Sequence, residues 1–117
     1  MVLTFKERLS FDERKRQAEI VLEKYPDKIP VIVEKDPKSK KIPNIDRCKF
    51  LVPRDFSVAQ LLYVIRKRIE ISSDEGIFFF VNNQLVTSSS LLADMYDKHK
   101  DDDAFLYIIF AGQNVFG

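Results

Sequence analysis

Polar and apolar positions change period several times along the chain, and each change marks an element. SFDE at 10–13 is a capping-box pattern: Ser10 can cap, and Glu13, three residues on, can reach back to its amide. A helix is predicted from there to about Lys24. Phe11, Ala18, Val21, Leu22 and Tyr25 fall near one face, Glu13, Arg14, Arg16 and Glu23 occupy the rest, and Pro26 discourages continuation through Tyr25. TFKERL before it has room for one turn only, a small helix laid over the domain.

The period then shortens. IPVIVEK at 29–35 is a β-branched strand whose Pro30 suits an edge or a strand start. DPKSKK is a solvated turn, and RCKFLVP at 47–53 is a second strand, taken as an edge because it bears Arg47, Lys49 and Pro53. From Ser57 the helical period returns, with Val58, Leu61, Leu62, Ile65 and Ile69 on the apolar side and Arg66, Lys67 and Arg68 on the exposed side. IFFFV at 77–81 is a buried strand, NN a turn, QLV a possible short partner strand and LLADMYDKHK a short helix. After the DDD turn, AFLYIIF at 104–110 is the last strand, nearly as apolar as a central parallel strand. Without its first two helices, this order is that of a β-grasp. The expected architecture is α+β: a mixed four-stranded sheet crossed by one long helix, with two additional N-terminal helices on its other side. Residues 1–26 are expected to form the helical extension packed on the core, 27–112 the β-grasp domain and 113–117 a flexible C-terminal tail.

Composition narrows the function classes. At 117 residues, 45% hydrophobic and 32% charged, the chain suffices for one cored domain and not for two. A net charge of +1 argues against a whole-surface polyanion binder. The runs RKR at 14–16 and 66–68 invite an RNA- or tubulin-binding alternative, but such runs are usually solvated helix faces. The single Cys48 excludes an internal disulfide, and no signal peptide or membrane-length apolar run is visible, so a cytoplasmic protein is expected. With glycines only at 76, 112 and 117, one histidine and one cysteine, the chain has no phosphate loop, metal cluster or nucleophile elbow. It is expected to be no enzyme and to need no cofactor or metal. Cys48 is expected to be a half-exposed strand residue, because nothing in the sequence places His99 beside it.

Several motifs in order resemble one family. IPVIVEK, IDRCKFLVP, YVIRKRI, IFFFVNNQL, DKHKDDDAFLY and the terminal NVFG are similar to the autophagy-related ubiquitin-like modifiers, the group of the GABA-receptor-associated proteins and microtubule-associated light chains, over residues 5–117. The resemblance implies two N-terminal helices before a ubiquitin fold, and a C-terminal glycine, here Gly117 with Phe116 beside it, joined through an amide to phosphatidylethanolamine. Glycine suits that chemistry, since an acyl carbon passed between thioesters in narrow active sites needs low crowding. It also implies that a partner peptide of aromatic, two variable residues and an aliphatic adds as a strand beside the second strand. Matching positions for the aromatic pocket are Gln17, Val21, Pro30, Ile32, Lys49, Leu51 and Phe105; for the aliphatic pocket they are Phe50, Val52, Pro53, Phe56, Leu61 and Val64. Arg68, with Lys28 and Arg47 nearby by analogy, would receive acidic residues flanking the motif. Without the resemblance, each of these apolar positions reads more readily as core than as pocket. The chain departs from the family at Gln17, commonly an acid, which weakens a charge-assisted bond to a partner Trp, and at Cys48, commonly basic. The implied partners are activating and conjugating enzymes, a deconjugating cysteine protease, cargo receptors and adaptors, and phosphatidylethanolamine membranes, with autophagosome membrane as the lipidated location and no nucleic acid. A ubiquitin-like scaffold that is never conjugated is the alternative, against which the NVFG tail speaks.

Overall fold

The computed structural model of the protein describes residues 3–112. Its elements are α1 (Phe5–Arg8), α2 (Phe11–Lys24), β1 (Lys28–Lys35), β2 (Lys49–Pro53), α3 (Val58–Ile69), β3 (Ile77–Val81), β4 (Gln84–Leu85), α4 (Leu92–His99) and β5 (Leu106–Gly112). α1, α2 and α3 start at side-chain caps, whereas α4 starts at Leu91 without one. Thr4 with Glu7 and Ser57 with Gln60 form complete capping boxes, whereas Ser10 accepts from the Glu13 amide at 3.2 Å without the return bond expected from SFDE. Arg66, Lys67 and Arg68 fill the last turn of α3, where positive charge complements the helix dipole.

The strands form one mixed sheet in the order β2-β1-β5-β3-β4. β1 and β5 are parallel and all other pairs antiparallel, so the last strand of the sequence lies at the centre. A two-residue β4 adds a fifth strand to the four expected; Asn82 and Asn83, at φ 51° and 65°, supply the left-handed backbone of its two-residue hairpin turn. β5 begins two residues later than AFLYIIF predicts. The loop before it captures Ala104 at φ 73°, and the Asp101 amide donates to the Phe105 carbonyl at 2.8 Å. Pro30 marks a strand start rather than an edge. The Val33 amide donates to Cys48 of the β2 side, so alternation turns the Pro30 nitrogen toward β5, whose pairing begins only at Val31–Leu106.

Period-two alternation divides the apolar side chains between two cores. On one face, Ile29, Val31, Phe50, Val52, Ile108 and Phe110 pack with Leu61 and Ile65 of α3 and Leu92 and Tyr96 of α4. On the other, Ile32 packs with Phe5 of α1, Ala18 of α2 and Phe105, whose ring meets Phe5 edge-on at 5.2 Å. The helices therefore lie on both sides of the sheet. Arg14, expected on the polar face of α2, is instead buried: its Nε lies 3.5 Å from the fully buried Asp103 carboxylate. Asp103 also accepts from the Phe105 amide and the Tyr107 hydroxyl. At the end of β5 the Gly112 amide donates to the buried Ser39 hydroxyl at 2.9 Å, and a Cβ on Gly112 would come within 2.6 Å of Ile42. No helix among the described residues is long and apolar enough to cross a membrane.

Candidate functional site

Among the described residues, β2 is an outer strand of the sheet, paired on one side only. The Cys48 carbonyl faces β1, where it accepts from Val33, so alternation points the amide and carbonyl groups of Lys49 and Leu51 outward from the sheet. Pro53, lacking an N–H, closes that row. The edge can thus pair with an added strand over a short, defined stretch.

The same alternation gives the edge two flanks. Lys49 and Leu51 stand opposite Ile32 and Pro30 on the α2 face, and the Lys49 ammonium donates to the Gln17 amide oxygen at 3.0 Å. This brings together Gln17, Pro30, Ile32, Lys49 and Leu51 of the residues expected for the aromatic pocket, and Val21 is half-buried on α2. Ile32 and Phe105 are sealed beneath, fully buried, while Leu51 keeps 37% of its surface exposed. Phe50 and Val52 point to the α3 face and join the core containing Leu61, with Phe56 half-buried against it. Val64, one turn beyond Leu61, is 38% exposed. Of the residues expected for the aliphatic pocket, Phe50, Val52 and Leu61 are buried in the core, Pro53 and Phe56 are half-buried and Val64 is exposed.

Charge is concentrated at one end of this edge. Arg47 and Arg68 both lie over the Phe50 ring, at 5.2 and 6.0 Å from its centroid. Arg68 binds Asp46 through two hydrogen bonds, at 2.8 and 3.3 Å, and Arg47 donates to the Lys49 carbonyl at 2.9 Å. Hydrogen bonding from Arg68 holds the Asp46 carboxyl below the usual carboxylate range. Lys28 is not part of this group: it pairs with Pro53, at the opposite end of β2 from Arg47. Cys48 is half-exposed, as expected, but lies one residue before β2 rather than in the strand, and its sulfur accepts from Arg8 at 3.3 Å; His99 lies beside Asn82 instead. Arg66, expected on the exposed face of α3, is half-buried and fastens the following loop through the Glu75 and Ser72 carbonyls. Asp46 was the residue the sequence did not single out. Its signal is faint, an acid three positions before a basic edge strand. Phe116 and Gly117 lie outside the described residues. No group of three or more His, Cys, Asp or Glu among the described residues could hold a metal.

A mixed sheet with α3 across one face and a pair of N-terminal helices on the other defines the class: this is a ubiquitin-like β-grasp protein. A solved structure described as Trypanosoma brucei ATG8 superposes with a TM-score of 0.90 at 39% identity, over 97% of each chain. The chain belongs to the family described as "Autophagy protein Atg8 ubiquitin like", whose profile matches residues 13–117. It is 51% identical to Autophagy-related protein 8e of Arabidopsis thaliana over 97% of this chain and 92% of the relative. Identity to Autophagy-related protein 8 of Mycosarcoma maydis is 48%, over 97% and 95%. As a member it is a non-catalytic ubiquitin-like protein of autophagy rather than an enzyme.

Proposed function

We propose that this protein is a modifier joined through Gly117 to phosphatidylethanolamine, and that the β2 edge then recruits cargo receptors and adaptors carrying an aromatic-x-x-aliphatic segment. The observation that carries the docking half is the open edge of β2, whose alternate side chains lead to separate apolar clusters on the two faces of the sheet. An added strand gains backbone bonds from Lys49 and Leu51, while its aromatic residue packs beside Gln17, Val21 and Leu51 and its aliphatic residue beside Phe56 and Val64. The conjugation half is supported by family membership and by a family match that runs to residue 117. Activating and conjugating enzymes handle the acyl group, a cysteine protease reverses the bond, and two acyl chains hold the product on the autophagosome membrane where one would hold only marginally. Residues 1–26 act as the helical extension and 113–117 as the conjugation segment of the domain at 27–112.

The test is flotation of the protein with membranes from starved cells, with mass spectrometry of the recovered chain. The expected result is a phosphatidylethanolamine mass on Gly117 that disappears on deletion of that residue, while an aromatic-x-x-aliphatic peptide still binds the deleted form. A deletion variant that still floats and carries the lipid would overturn conjugation and leave a ubiquitin-like scaffold.

A further inference from the structure

The loop between β1 and β2 is fastened to the end of β5, the strand from which residues 113–117 lead to Gly117. The Asp36 amide donates to the Phe110 carbonyl at 2.9 Å, the Gly112 amide to the Ser39 hydroxyl at 2.9 Å, and the Lys35 ammonium to the Ile42 carbonyl at 3.0 Å. Ser39 and Ile42 are buried, and Ile42 lies so close over Gly112 that a Cβ there would meet it at 2.6 Å. The lysines between and beside these anchors are left outside: Lys38, Lys40 and Lys41 are exposed and form no ion pair among the described residues. The acids of the same loop are engaged elsewhere. Asp36 accepts from the Lys38 amide at 2.9 Å and Asp46 holds Arg68. Glu75, beside Lys41 and Gly112, is outnumbered by the three lysines.

We infer that this loop is a membrane-contact surface, with Lys38, Lys40 and Lys41 seated among anionic lipid headgroups once Gly117 is attached to the bilayer. This rests on the conjugation proposed above. Covalent geometry confines the contact: the five residues 113–117 span at most about 18 Å when fully extended, less than the 23 Å of the molecule's shortest dimension. A bilayer held at Gly117 is therefore kept near the end of the molecule that carries Gly112, and the β1–β2 loop is packed directly on that residue. With a net charge of only +1, the whole protein has little general attraction to an anionic surface, so the local cluster decides which side turns toward it. A lysine close to an anionic leaflet favours contact by about fivefold, and three by on the order of a hundredfold, an effect confined to roughly a Debye length and weakened by salt. The lipid anchor supplies attachment, and the lysines supply orientation.

Tethering the full chain chemically tests the contact without the conjugating enzymes. A Gly117→Cys variant, with Cys48→Ser to leave one thiol, is coupled to a maleimide lipid in phosphatidylcholine nanodiscs prepared with or without phosphatidylserine. A nitroxide-headgroup lipid in the discs then attenuates the amide NMR signals of residues near the surface. The expected result is attenuation strongest over residues 38–41 and weak at Gln84 and Leu85, present with phosphatidylserine and lost without it or at high salt. Combining Lys38→Gln, Lys40→Gln and Lys41→Gln should abolish that preference while the thermal midpoint stays unchanged. Equal attenuation with and without phosphatidylserine, an unaltered pattern in the triple variant, or attenuation centred on another face would overturn the inference while leaving conjugation intact. Absence of a lipid mass on Gly117 in cells would overturn conjugation instead, and with it the setting of this contact, even where the discs show the attenuation.

Discussion

Arg14 shows what residue type can conceal. Positions 11, 14, 18, 21 and 25 follow one helical seam, and by spacing alone Arg14 belongs with Phe11 and Ala18. Its charge argues for the solvent face, yet only Asp103, 89 positions away in the sequence, makes burial tolerable. No local pattern reveals such a partner, because the cost of burying each charge is offset only once the fold joins them. Removing Asp103 leaves the Arg14 charge uncompensated and the Phe105 amide and Tyr107 hydroxyl without their acceptor. Asp103→Ala should therefore cost about 3–5 kcal/mol in urea unfolding, the range for breaking a buried ion pair. Tyr107 gives a second, pH-dependent test. Burial, followed by its bond to Asp103, pushes the phenol well above its ordinary range. Because the unfolded chain releases this proton near pH 10 and the folded chain only later, the contribution is full below about pH 10 and falls as the pH rises further. Tyr107→Phe should lose less stability than the parent between about pH 9 and 11.5, as measured by urea midpoints; parallel losses would reject this assignment.

At the scale of the element, β2 behaves as two surfaces in five residues. Lys49 and Leu51 are exposed while Phe50 and Val52 are buried, an alternation visible in the sequence once the strand is recognised. Substitution should separate the two roles. Lys49→Ala with Leu51→Ala should lower affinity for an aromatic-x-x-aliphatic peptide more than tenfold, about 1.5 kcal/mol or more, and leave the thermal midpoint nearly unchanged. Leu61→Ala, at a position only 1% exposed in the core beneath, should instead cost about 2–5 kcal/mol of stability. A double variant that unfolds early, or binds as before, would contradict the assignment of Lys49 and Leu51 to the docking surface. The helices, strands and the edge itself were legible because caps and periodicity are local properties. The start of β5 was not, because AFLYIIF is uniformly apolar and the left-handed turn at Ala104 is imposed by the Asp101–Phe105 loop. The Arg47 bond to Lys49 was equally hidden, since sequence gives a side chain's charge and not its direction.

For the whole molecule, order in sequence and order in space diverge at one strand. β5 comes last along the chain and lies in the middle of the sheet, parallel to β1 and antiparallel to β3. The hydrophobic period predicted a central strand, but which neighbours it joins is a property of topology. A chain truncated after Phe105 should lack cooperative thermal unfolding and bind a hydrophobic dye, because β1 and β3 then have no strand between them; a sharp melting transition in that fragment would contradict this. The arrangement also bears on how the protein is made. At a synthesis rate of about 5–20 residues per second, the span from the end of β2 to the end of β5 takes on the order of several seconds. Until β5 emerges the newborn chain carries the unpaired inner edge of β1 and, once it is made, that of β3. The sheet can be completed only when this last strand emerges, so a molecule this small stays open for most of its own synthesis.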